Sequence, residues 1–181
     1  MSDQSNNFQS APDESKLVKI CFEFEQDEDG WPPYRSESLW AEHVGGDDYK
    51  LHNVPIFARD VAIDDIVTAI RNDDGILTSK TFKAHGGKFT TVVLIMKEVA
   101  GQAHETLRAF LKADERYQFE WGFDVMYSIC CPIEMLGDLQ EFLEAEYENL
   151  WVYFTPKFPT EEQWAAFESG LMLPEDTSRK E

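Results

Sequence analysis

Val18, Ile20, Phe22 and Phe24 alternate with Lys19, Cys21 and Glu23, and this two-residue period is the strongest constraint in the chain. It puts one face in water and the other in a core, so a half-buried strand is expected there. The run stops at Glu25-Gln26-Asp27-Glu28-Asp29-Gly30. Trp31-Pro32-Pro33 then holds an extended loop, because consecutive prolines cannot continue a ladder. Residues 38–44 and 49–54 read as two further strands joined by Gly45-Gly46-Asp47-Asp48, a hairpin signal. Asn72-Asp73-Asp74-Gly75 makes a turn, residues 76–83 another strand, and His85-Gly86-Gly87 a break. Between them, Val61, Ile63, Ile66, Val67 and Ile70 fit helix and strand alike. Residues 16–86 are therefore expected to form a β-rich subdomain, a small barrel or curled antiparallel sheet.

Past Gly87 the pattern becomes mixed. Residues 89–96 are a β-branched strand, and residues 102–113 are helical, with Ala103, Leu107, Phe110 and Leu111 on one stripe. Residues 117–123 and 125–131 are either a hairpin about Asp124 or one long bent strand. Asp138 and Glu141 are spaced as a capping box, and Leu139, Phe142, Leu143, Tyr147 and Leu150 make the apolar stripe of a second helix. Residues 151–154 are a last strand. This order predicts an α+β fold, with a ferredoxin-like βαββαβ unit over 87–156. A short C-terminal helix at 160–169, presenting Trp164 and Phe167, lies within a terminal segment 157–181, and residues 1–15 read as a disordered arm.

The run from Phe22 to Val67 resembles a bacterial family of small acidic proteins known as a domain of unknown function. The resemblance lies in Asp29-Gly30-Trp31-Pro32-Pro33, Ser38-Leu39-Trp40-Ala41-Glu42, Asn53-Val54-Pro55-Ile56-Phe57-Ala58 and Asp65-Ile66-Val67, and extends over about 18–154. It implies a β-rich first half and favours strand for residues 66–70. It carries no activity with it.

Charge narrows the function classes. The 181 residues carry a net charge of −19, which disfavours phosphate backbones and anionic membranes as partners. Residues 117–156 hold eight acidic residues and no Lys or Arg: Glu120, Asp124, Glu134, Asp138, Glu141, Glu144, Glu146 and Glu148. On the expected helix Glu141, Glu144 and Glu148 form one stripe of like charges, and the later glutamates crowd the negative end of its dipole. A second cluster, Glu23, Glu25, Asp27, Glu28 and Asp29, runs into Trp31 and Tyr34. Aromatics anchor interfaces and charges select partners, so this loop is a candidate recognition element. The alternative is that Trp31 caps the barrel core.

Catalytic patterns are missing. His43, His52, His85 and His104 share no metal-ligand spacing, no cysteine pair is spaced C-x-x-C, and no nucleophile elbow occurs. Cys130 and Cys131 are adjacent in a strand, so their side chains should point to opposite faces, and the acidic surroundings should raise their thiol pKa. His85-Gly86-Gly87-Lys88 leads into a strand, which suits a turn better than a phosphate loop. Neither enzyme activity, a cofactor nor a metal is expected. The N-terminal segment lacks the basic and apolar regions of a leader, and with free cysteines this points to the cytoplasm.

These readings predict a non-catalytic acidic protein that captures a basic protein, as the immunity partner of a bacterial toxin domain. Its partner-binding residues are expected among Glu120, Asp124, Glu141, Glu144, Glu148, Asp27, Glu28, Asp29, Trp31 and Tyr34. The alternative is a small-molecule or peptide-binding regulatory domain.

Overall fold

The computed structural model describes residues 16–154 apart from Asp29, Trp31 and Arg59. The first five strands are β1 (Leu17–Glu23), β2 (Ser36–Gly45), β3 (Asp48–Leu51), β4 (Ile66–Arg71) and β5 (Leu77–Ala84). They close a barrel in chain order, antiparallel throughout except where β5 returns to run parallel to β1 at Cys21 and Thr78. The alternation in β1 works as expected: Ile20 and Phe22 are buried, and they join Leu39, Ala41, Leu51, Val67, Ala69 and Leu77 inside. Glycine is required at the β2–β3 turn, where Gly45 and Gly46 have φ of +140° and +56°. Residues 66–70 are strand, as the family resemblance implied.

The other four strands are β6 (Lys88–Ile95), β7 (Gln118–Gly122), β8 (Met126–Pro132) and β9 (Trp151–Phe154), in an antiparallel sheet ordered β7-β8-β6-β9. The β7–β8 connection is a hairpin and not a bent strand. Gly122 pairs with Met126 across three residues, of which Phe123 and Asp124 both lie in the left-handed region, with φ of +58° and +59°. One face of the sheet is covered by α1 (Ala100–Leu111) and α2 (Leu136–Ala145). The other meets barrel segment 52–65. There Cys130 packs with Val54 and Ala62, Thr90 donates to the Val61 carbonyl at 3.0 Å, and Ser128 donates to the Pro55 carbonyl. Cys131 packs on the helix side, so the two cysteines do face opposite ways.

The expected fold class is corrected. Among the described residues, nine strands in two sheets stand against two helices of 12 and 10 residues, so the architecture is mostly sheet and not an α+β chain with a ferredoxin-like unit. The reason is the narrowness of the helical stripes: α1 buries Ala103, Leu107 and Leu111, and α2 buries Leu136, Leu139 and Leu143, while strands supply most of the remaining core. The curled barrel is the part of that expectation that stands. A second correction concerns α2. It starts at Leu136, two residues before Asp138, has no side-chain cap, and follows a short 3-10 turn over Ile133–Met135. Segments 1–15 and 157–181, including the expected helix with Trp164 and Phe167, lie outside the described residues.

Candidate functional site

Two features shape the loop between β1 and β2. The Phe24 N–H donates to the Arg35 carbonyl at 2.8 Å, pinching its ends, and the Gln26 amide donates to the Pro32 carbonyl at 2.8 Å. Gly30 turns with φ +77° and donates to the Asp27 carbonyl at 3.0 Å. Folded in this way, the loop becomes one wall of a cleft of about 590 Å³. The opposite wall is Ile56, Phe57, Ala58, Asp60 and Val61, and Val92 and Phe154 of the sheet complete it. Its apolar surface includes Phe22, Phe24 and Phe57, while Glu23, Glu25, Asp27 and Asp60 are its charged lining. Among the described residues that line it, none is Lys or Arg.

Glu37 holds the opposite wall in place. It lies on β2 in register with the inward-facing Leu39 and Ala41, at the mouth of the barrel. Its carboxylate accepts from the Ile56, Phe57 and Ala58 amides at 2.8, 2.9 and 3.0 Å. These are charge-assisted bonds to three consecutive amides, and they position the Phe57 ring. Phe57 is then the centre of an aromatic group: Tyr34 lies 5.9 Å from it, Phe123 5.6 Å and Phe24 6.4 Å, with Tyr34 and Phe123 5.5 Å apart. The group spans the acidic loop, the 52–65 segment and the β7–β8 turn.

The expected partner-binding residues are scattered by the fold. Asp27, Glu28 and Tyr34 belong to the exposed loop beside the cleft, whereas Asp29 and Trp31 lie outside the described residues. Glu120 is half-buried on β7. Burial raises its carboxyl pKa, and although the Asn53 side chain and the Val54 backbone bond it, nearby Glu37 adds to the rise. It therefore serves the seam between sheet and barrel. Asp124 is exposed in the hairpin turn, and its carbonyl accepts from His104 Nε2 at 2.9 Å. Glu141 and Glu144 are exposed on α2, where Glu144 accepts from the Tyr153 hydroxyl, but Glu148 is not on the helix at all: α2 ends at Ala145, and Glu148 sits in a following turn with φ +61°. The expected three-residue stripe is thus two residues long, and no α2 residue lines the cleft.

Three further clusters are internal. Asp65 is 1% exposed and accepts from the Ala62 and Gly86 amides, each at 2.7 Å, with His85 Nδ1 at 3.8 Å. Burial pushes its carboxyl up to about 6 against those two bonds, and burial likewise lowers the His85 pKa. Beside it Asp64 pairs with Lys50 at 2.8 Å and Lys88 at 2.7 Å, which overcome the effect of burial and hold it below the ordinary carboxylate range. On the helix side, His104 Nε2 donates to the Asp124 carbonyl at 2.9 Å, and its Nδ1 shares a hydrogen bond with the Tyr127 hydroxyl at 3.0 Å; that hydroxyl accepts from Arg108 Nε at 2.6 Å. The thiols of Cys130 and Cys131 lie too deep to be nucleophiles. Burial is the main cause in both, raising Cys130 to about 11 and Cys131 further, with neighbouring acids a lesser one. Among the described residues, no three His, Cys, Asp or Glu side chains are grouped to hold a metal ion, and no helix is long and apolar enough to cross a membrane.

A closed barrel set against a four-stranded sheet, with an acidic, aromatic-walled cleft between them, defines a small two-sheet β protein. The family model described as a domain of unknown function (DUF4265) matches residues 37–152, and the chain belongs to that family. Among solved structures, a hypothetical protein from Neisseria gonorrhoeae is similar, at 18% identity over 75% of this chain and 91% of that one, with a TM-score of 0.52. That likeness is one of fold alone. No curated protein matches the chain.

Proposed function

We propose that the protein is a non-catalytic binding module that captures a basic protein in the cytoplasm, acting as the immunity partner of a toxin domain. The observation that carries this reading is the cleft, where Glu23 and Glu25 stand beside a wall of phenylalanines. Carboxylates at its rim offer a cationic surface what a nuclease-like domain's phosphate substrate would offer, so capture blocks by occupation. The net charge of −19 adds long-range steering, to which Glu141 and Glu144 contribute from the helix face. The test is association of the purified protein with a candidate basic toxin domain at rising ionic strength. Steered capture slows by at least about tenfold between 50 and 300 mM salt, and Glu23→Gln/Glu25→Gln slows it further at low salt. Association indifferent to both would end the reading.

A second reading, a regulatory domain for a small molecule or peptide, is favoured by the size of the cleft. About 590 Å³ falls within the range of ordinary ligand pockets. Binding there would rest on apolar burial and be nearly insensitive to salt, and this separates the two readings.

A further inference from the structure

We propose that the Tyr34–Phe123 pair, backed by Phe57 beside the acidic wall of the cleft, is the seat for an arginine side chain presented by the basic partner. This deepens the capture reading and rests on it. Tyr34 and Phe123 are 50% and 52% exposed, yet they come from different sheets' loops and meet at 5.5 Å with a 34° tilt, so two half-exposed rings are held together at the surface. Phe123 occupies the first central position of its turn with φ +58°, where glycine or asparagine would be the unstrained choice. With this backbone the ring packs against Tyr34 and Phe57, so the strain of the turn goes with the placement of the aromatic group.

Two of the chain's other exposed aromatics, both tryptophans, show what such faces accept. Trp40 lies under Lys19 at 4.9 Å, and Trp121 under Arg108 at 4.3 Å. Among the described residues, no cation lies over Tyr34 or Phe123. Arg35, the next residue in the chain, is exposed, and it is its carbonyl that is engaged, by Phe24. Complementarity then selects the occupant. Glu23 and Glu25 line the neighbouring cleft, which shares Phe57 with the aromatic group, and the overall charge opposes an anion or a second copy of this chain. Arginine suits the seat better than lysine, because its planar, weakly hydrated guanidinium stacks on rings while its N–H groups reach carboxylates.

The experiment uses the full chain and three acetylated, amidated pentapeptides, Leu-Arg-Leu-Arg-Leu and its lysine and citrulline counterparts, titrated by calorimetry. The arginine peptide binds at least about tenfold more tightly than the citrulline peptide and about threefold more tightly than the lysine peptide. Tyr34→Ala and Phe123→Gly each weaken it by about fivefold or more, and Phe123→Gly leaves the unfolding midpoint unchanged or raised, because glycine relieves the turn. Equal binding of the three peptides, or wild-type affinity in Phe123→Gly, would overturn the proposal. If that happens while capture of a basic protein stays salt-sensitive and Glu23/Glu25-dependent, the arginine seat falls and the capture reading stands. If charge and ring substitutions both leave capture untouched, both fall.

Discussion

Replacing Glu37 with alanine removes the acceptor of three backbone amides, at 2.8, 2.9 and 3.0 Å, and tests how the cleft wall is held. In a fully buried setting each charge-assisted bond would be worth about 1.5–3 kcal/mol. Glu37 is only half-buried, however, so water can reach some of the freed amides, and about 1 kcal/mol per bond is the better figure. The expected loss is about 3 kcal/mol, a fall of roughly 6–12 °C in Tm for a chain of this size. Glu37→Gln is milder. Turned so that its oxygen meets Phe57 and Ala58, it keeps two bonds and sets an NH₂ against the Ile56 N–H, costing about 1–2 kcal/mol. Urea and thermal unfolding give the stabilities, and near-UV circular dichroism reports the Tyr34–Phe57–Phe123 group, which should lose its fixed geometry in the alanine variant. A loss below about 1 kcal/mol, with the aromatic signal intact, would show that the wall is held by packing and not by this carboxylate.

Three other outcomes are expected. Gly86→Ala should destabilise by about 3 kcal/mol or more in urea unfolding, because a Cβ there would stand 2.4 Å from the Asp64 carbonyl carbon, a backbone atom that cannot step aside. Asp65, raised to about 6 in the fold from 3.8, favours the folded state fully below 3.8 and loses that contribution as pH rises through 6. The wild-type stability minus that of Asp65→Asn should therefore fall by at most about 3 kcal/mol between pH 4 and 7.5, and a flat difference would refute the assignment. Titration with a thiol reagent at pH 8 should modify half-exposed Cys21 in the native protein, and Cys130 and Cys131 only after denaturation.

Much of the barrel was legible in the chain because its signal is local. Two-residue alternation marks β1, and Gly45-Gly46 marks the turn that follows β2. The balance of sheet to helix was not, since it depends on how few side chains each helix buries. Glu148 shows the limit of periodicity. It falls at the right spacing from Glu144, but α2 stops at Ala145, where further glutamates would face the negative end of the dipole with no cation to offset them. The most important residue of the site, Glu37, carried a signal that went unread: a carboxylate in register with Leu39 and Ala41 needs donors, and the Ile56–Ala58 amides supply them. Glu120 belongs by sequence to the acidic block over 117–156 expected to meet a partner, and only the fold brings Asn53 and Glu37 to it. The meeting of Tyr34 with Phe123 joins residues far apart in the chain, which no local pattern reveals.

The 52–65 segment has a consequence for biosynthesis. During translation the barrel leaves the ribosome first, and its Val54 and Ala62 flank has nothing to rest on until β8 arrives with Ser128 and Cys130. A nascent or truncated chain ending near Gly87 would thus display a sticky apolar strip, with the Pro55 and Val61 carbonyls bonded to water in place of Ser128 and Thr90, and would be a natural client for chaperones.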